Sequence, residues 1–112
     1  MMKRMNAQIA ISITVLGAAL SLAPLARAQA TPEAIYASKC AACHGPDGSG
    51  SAMGKKLGAL DFHSVDVQKQ SDAALSEVIT KGREKMPAFG AKIKPDDGMK
   101  LVAYIRSLAK KP

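Results

Sequence analysis

"KCAACHG", Lys39 to Gly45, contains both cysteines of the 112-residue chain and one of its two histidines. Cys40 and Cys43 are spaced i, i+3, and His44 lies at i+4 from Cys40. On a helix these three side chains project within about 100° of one another. One flat object can therefore meet all three.

Upstream of this stretch the chain opens with Lys3 and Arg4, runs apolar from Ile9 to Leu25 apart from Ser12, Thr14 and Ser21, and ends in "ARA" at Ala26 to Ala28. That pattern is expected of a secretory signal peptide over residues 1–28, with a single domain over 29–112 in the periplasm. The competing reading is a retained anchor, because the apolar run of 17 residues approaches the lower limit of about 17 to 18 for a spanning helix. Pro24, the interspersed Ser and Gly and the small-x-small end favour cleavage, which leaves no stable membrane insertion.

The whole chain carries 16 Lys and Arg against 9 Asp and Glu. Residues 1–28 hold three of the bases, Lys3, Arg4 and Arg27, so the 84-residue domain has 13 against 9, or +4. Its aromatic residues are Tyr36, Phe62, Phe89 and Tyr104, with no tryptophan. A domain of this size buries only about 60–65% of its unfolded surface and commonly needs a staple. A disulfide is the ordinary staple of an exported chain. Cys40 and Cys43, however, would close a ring of four residues, which removes little entropy from the unfolded state and ties nothing distant together. Some other object must bind both sulfurs.

Thr31, Pro32 and Glu33 supply an N-cap, a first-turn proline and a first-turn acid, which predicts a helix from there through Cys43. From Gly45 to Gln70 there are five glycines and no sustained periodicity beyond a short helical turn after Ser64. Ser71 caps a second helix with Leu75, Val78 and Ile79 as its apolar stripe and Gly82 as its stop. Arg83 to Pro95 is an irregular stretch in which Met86 precedes Pro87, a placement that disfavours helix at the methionine. Pro95, Asp96 and Asp97 open a last helix striped by Leu101, Tyr104, Ile105 and Leu108. The basic Arg106, Lys110 and Lys111 suit its C-terminal end. The pattern is all-α.

C-x-x-C-H is the covalent attachment sequence for c-type haem. Two thiols three residues apart can add to two vinyl groups on one porphyrin edge, and the following histidine then faces the iron. Thioredoxin-like C-x-x-C chemistry needs a βαβ framework that this chain does not show. A zinc site needs about four ligands, and Cys40, Cys43, His44 and His63 are the only Cys and His available, with Cys43 and His44 adjacent.

"CAACHG", "KMPAFG" about 40 residues later and a final amphipathic helix carrying "LVAYI" make the chain resemble a class I c-type cytochrome of the small bacterial monohaem kind, over Thr31 to Lys110. The resemblance implies a small cytochrome c fold, three to five helices wrapped around one covalently bound haem c. By position it implies thioether bonds at Cys40 and Cys43, His44 as proximal ligand and Met86 as distal ligand. Among the rivals to Met86, Met99 lies beside the stripe of the last helix and reads as core packing. Met53 follows His44 by only nine residues, and His63 reads as a solvated loop histidine.

Two positions depart from the family's pattern. Pro32 stands where the family commonly has a glycine at the crossing of its terminal helices, so Tyr36 and Tyr104 are expected to fill that contact. Lys55 stands where a loop proline's carbonyl often receives the proton of the histidine's non-ligating nitrogen. A backbone carbonyl from another residue type is expected to keep that bond.

The resemblance implies a one-electron carrier rather than an enzyme, since an iron with both axial positions filled by protein leaves no place for oxygen or peroxide. Its partners are a redox protein donor and acceptor with acidic docking surfaces, met through Lys81, Arg83, Lys85, Lys92 and Lys94 around "MPAFG". A monomer with no nucleic-acid partner is expected. The alternatives are a dedicated haem c subunit of a dehydrogenase or oxidase complex, and a peroxidase or gas-binding haem protein.

Overall fold

The computed structural model describes residues 30–112 together with Gly17. The leader expected over residues 1–28 lies outside the described residues, Gly17 apart. The described chain forms six helices, α1 (Pro32–Lys39), α2 (Ala41–His44), α3 (Ala52–Lys56), α4 (Val65–Gln68), α5 (Asp72–Lys81) and α6 (Asp97–Ala109). Among the described residues, β pairing is limited to a single bridge between Arg83 and Met86. None of the described helices is long and apolar enough to cross a membrane.

Local chemistry accounts for the helix starts. The hydroxyls of Thr31, Ser51, Ser64 and Ser71 accept hydrogen bonds from the amides of Ala34, Gly54, Val67 and Ala74, at 3.2, 2.9, 3.3 and 3.1 Å. Each occupies one of the orphan donors at a helix N-terminus. The helix expected to run unbroken through Cys43 is divided at Cys40, whose backbone (φ −116°, ψ −40°) leaves ideal helix geometry. Counted as one, α1 and α2 bring the total to five. The α3 helix is an addition to the sequence reading, which took Gly45 to Gln70 as irregular apart from the turn after Ser64.

Four helices, α1, α4, α5 and α6, together with the loop residue Phe62, close around one core of Ile35, Tyr36, Phe62, Val67, Ile79, Leu101, Val102, Ile105 and Leu108. The first and last helices meet through Tyr36 and Tyr104, whose rings stand edge to face at 5.2 Å. These are the two tyrosines expected to fill the crossing, and such aromatic pairs add about 0.5–1.5 kcal/mol beyond area burial. Buried Tyr36 also donates its hydroxyl to the Gly45 carbonyl at 2.6 Å, which ties α1 to the end of α2. Burial pushes that phenol above its ordinary range, so it stays a donor.

Arg106, read from sequence as a charge suited to a helix end, is instead a tertiary clamp. Its guanidinium donates to Asp72 Oδ1 at 2.6 Å, to the Gln70 carbonyl at 2.6 Å and to Gln68 Oε1 at 3.1 Å. A rigid fork of five donors can hold the start of α5 and the end of α4 against α6 at once.

The α3 helix is docked on α2 by backbone contact. Ser51 donates its amide to the Cys43 carbonyl at 2.9 Å and its hydroxyl to the Ala42 carbonyl at 2.6 Å. Gly54 approaches so closely that an added Cβ would collide with the Cys43 carbonyl oxygen. Its φ is not positive, so space and not backbone freedom requires the glycine. Gly54→Ala is therefore expected to destabilise the loaded protein by about 1–3 kcal/mol through overpacking, despite a helix-propensity gain of about 1 kcal/mol. A thermal midpoint equal to or above that of the unmodified protein would contradict this.

Candidate haem site

Cys40, Cys43, His44 and Met86 all line one cavity of about 370 Å³. Its walls are largely apolar and include Val67, Leu75, Val78, Ile79, Phe89 and Ile105. That volume and lining suit a cofactor pocket. The three residues of the opening motif thus share a surface even though the helix breaks at the first of them. Backbone hydrogen bonds bridge the break, from Cys40 N to Tyr36 O at 2.9 Å and from His44 N to Cys40 O at 2.9 Å. The cysteines are not joined in a disulfide.

The chemistry of the Cys40 thiol argues against disulfide exchange as the reason for C-x-x-C. Reactive cysteines have depressed pKa values. Burial pushes the Cys40 thiol the other way, up to about 11, with Lys39 opposing the shift.

His44 stands at the end of α2 with its ring stacked on Phe62, centroids 4.6 Å apart and planes 23° from parallel. Burial holds its imidazole below the ordinary histidine value, so the ring is neutral at pH 7 and carries a nitrogen lone pair. Among the described residues its buried Nδ1 has no hydrogen-bond partner. The expected bond from His44 to a backbone carbonyl is not made. Lys55, placed by the sequence reading at the accepting position, lies in α3 and does not line the cavity.

Met86 reaches the cavity from the irregular loop after α5, and that loop is held firmly. Gly82 ends α5 with φ 75°, and an added Cβ there would lie 2.7 Å from the Met86 carbonyl oxygen. Arg83 and Met86 exchange both backbone hydrogen bonds, at 3.1 and 2.9 Å, around Glu84 at φ 53°. A left-handed glutamate costs on the order of 1 kcal/mol and persists only where its surroundings fix it. Phe89 and Gly90 then donate their amides back to the carbonyls of Ile79 and Thr80, both at 3.0 Å, satisfying the end of α5. The methionine is thus placed by a closed backbone turn.

Of the three methionines among the described residues, only Met86 lines the cavity. Met53 is 55% exposed and Met99 50% exposed. The exposure of Met99 corrects its reading as core packing. The buried positions of α6 are Gly98, Leu101, Val102, Ile105 and Leu108, and at 100° per residue Met99 falls more than a quarter turn from the centre of that stripe. His63 is a solvated loop histidine as expected, paired with Asp61 at 2.7 Å and outside the cavity. The hydrogen bond that its ring donates to the Asp61 carboxylate raises its pKa.

The donor set fits haem c. Two thiols and a neutral imidazole around one turn, a thioether delivered from a distant loop and apolar walls belong to one site. Among the described residues no group of three or more His, Cys, Asp and Glu could hold a bare metal ion. Phe62 is the site residue that the sequence did not single out. Its signal was the rarity of aromatics in a glycine-rich stretch.

Comparison with known proteins agrees. Residues 27–105 match the family described as cytochrome C oxidase, cbb3-type, subunit III. Cytochrome c6 of Picosynechococcus sp. is 31% identical over 113 aligned positions, spanning 94% of this chain and 96% of that protein. Cytochrome c6 of Anabaena variabilis is 32% identical over 76 residues, 63% of this chain and 80% of its own. Among solved structures, the KustC0563 c-type cytochrome matches with a TM-score of 0.66 and 34% identity, over 70% of this chain and 96% of that one. The chain belongs to the small class I c-type cytochromes, with one covalently bound haem c as its cofactor.

Proposed function

We propose that this small haem c electron carrier works in the periplasm as a monomer, with His44 and Met86 as the axial ligands and no substrate of its own. The observation that carries the reading is the convergence of His44 and Met86, from segments 42 residues apart in sequence, on the one cavity that both cysteines line. When bound, the haem supplies a reversible one-electron change at iron. Cys40 and Cys43 would hold its edge, and His44 and Met86 would fill both axial positions, so that oxidation state changes without exchange of ligands. Thioether sulfur favours the reduced iron and raises the potential relative to a second histidine. The apolar walls push the same way, because the oxidised form carries more charge. Residues 1–28 serve as the export signal and residues 29–112 as the domain.

The partners' chemistry is read from the mouth of the cavity. Lys39, Arg83 and Lys85 line it, with the exposed side chains of Leu57 (43%) and Leu60 (53%) beside them. Of the other cations expected to serve there, Lys81 is paired with Glu77 at 3.0 Å and Lys92 lies over the Phe89 ring at 5.5 Å. Lys94 is exposed. Lys39, Arg83 and Lys85 are therefore the cations best placed to attract an acidic redox partner, with Glu84 partly offsetting them, while the leucines supply apolar contact. Such encounters are small and transient, and charge acts mainly on the rate of arrival.

Stopped-flow oxidation of the loaded, reduced protein by an acidic redox protein tests the reading. Between 0.1 and 1 M salt the Debye length falls from about 10 to about 3 Å. The second-order rate constant should fall by on the order of tenfold or more across that range. Arg83→Glu/Lys85→Glu should flatten or invert the profile. Identical flat profiles for both proteins would remove the acidic partner from the proposal.

A second reading, a dedicated subunit of an oxidase complex, is favoured by the name of the matched family. It predicts that the native protein migrates with a larger assembly rather than at the size of an 84-residue domain.

A further inference from the structure

We propose that Phe62 is a positioning residue for His44, its ring fixing the plane of the imidazole in the place of a hydrogen bond. The inference rests on the reading of His44 as an iron ligand and deepens it. Rotation of a histidine ring about its terminal torsion is soft and roughly two-fold. Ligating histidines are ordinarily oriented by a hydrogen bond from the nitrogen that does not bind the metal. His44 Nδ1 makes no such bond among the described residues, although it is buried. The ring is instead stacked on Phe62, near parallel with centroids 4.6 Å apart.

Phe62 can act this way because it is itself immobilised on several sides. It is 7% exposed. Its amide donates to the Gly48 carbonyl at 2.8 Å, and its carbonyl accepts from Gln68 Nε2 at 2.7 Å. Tyr36 closes one edge at 6.3 Å and 62°. Gly48, at φ 81°, lies so close that an added Cβ would be 2.6 Å from Phe62 Cδ2. The phenyl plane is thus set by a glycine turn on one side and presented to the imidazole on the other. A flat ring held this way resists rotation of a second flat ring stacked on it, through loss of dispersion contact.

The readout is proton NMR of the loaded, oxidised protein, where the four haem-methyl resonances are displaced according to the direction of the axial ligand planes. Phe62→Leu keeps an apolar side chain of similar volume and removes the flat face, whereas Phe62→Tyr keeps the face. The expected result is an altered order or spread of the methyl shifts in Phe62→Leu, with the sulfur-to-iron band retained, and a pattern close to the parent's in Phe62→Tyr. A parent-like pattern in Phe62→Leu overturns the inference. In the unmutated reduced protein, Overhauser contacts between the Phe62 and His44 rings must be present, and their absence overturns it even if neither variant loads haem. His44 ring resonances without paramagnetic displacement in the unmutated protein would overturn the ligand reading and this inference together. Displaced His44 resonances with an unchanged Phe62→Leu pattern overturn the inference alone.

Discussion

Met86→Ala will abolish the weak sulfur-to-iron charge-transfer band of the oxidised protein and open the iron to carbon monoxide at neutral pH, whereas Met53→Ala and Met99→Ala will leave both properties unchanged. The contrast follows from placement. Met53 and Met99 are at least half exposed and line no part of the haem cavity, while Met86 enters it from a turn closed by two backbone hydrogen bonds. Alanine leaves that turn's backbone intact, because the bonds between Arg83 and Met86 involve only main-chain atoms. The expected change is therefore specific to ligation, and the potential should fall, since the loss of a soft sulfur removes its preference for reduced iron. The stability cost is separate, about 2–5 kcal/mol for deletion of a methionine packed against the core. A Met86→Ala protein that kept its band and potential would refute the assignment, and the band's loss in Met53→Ala would transfer the role there.

The chemistry-bearing side chains that meet at the cavity were largely legible because a C-x-x-C-H motif has fixed spacing. Cys40, Cys43 and His44 come from one motif, and Met86 was separable from its rivals by the proline that follows it. The main helices were legible for a related reason. Thr31 and Ser71 cap as their sequence contexts imply, the short turn expected after Ser64 forms as α4, and the stripe of α6 follows its period. What was hidden depends on contacts between distant segments. Gly54 sits in a helix because Cys43 lies against it, which no local pattern records. Arg106 resembles an ordinary helix-end charge until Gln68, Gln70 and Asp72 arrive 34 to 38 residues away in sequence. The orientation of His44 belongs to the same class. The sequence points to a carbonyl acceptor at Lys55, and the ring is instead met by Phe62, brought to it by the loop that Gly48 bends.

Cys40→Ser with Cys43→Ser, purified without haem, should be a largely unfolded chain. Among the described residues nine side chains form the buried core, and Val67, Ile79, Phe62 and Ile105 among them also line the cavity. Leu75, Val78, Met86 and Phe89 complete its apolar walls. Without the cofactor these faces meet water instead of a ring, so a substantial share of the apolar burial available to the domain is lost. Ordering each residue's backbone still costs about 1–2 kcal/mol, and a domain this small has little surplus to offset it. A group that binds only the folded chain contributes its binding free energy to folding. The serines themselves are a minor perturbation, because neither cysteine is fully buried. Far-ultraviolet circular dichroism should show less than about half the helical signal of the loaded protein. It should also show no cooperative thermal transition. The loss should be general rather than confined to α1 and α2, because Leu75, Val78 and Ile79 place α5 on the cavity and Ile105 places α6 there. Native-level helix with a cooperative transition in the haem-free double variant would show that the polypeptide core suffices, and that the cofactor is held by the fold without helping to make it.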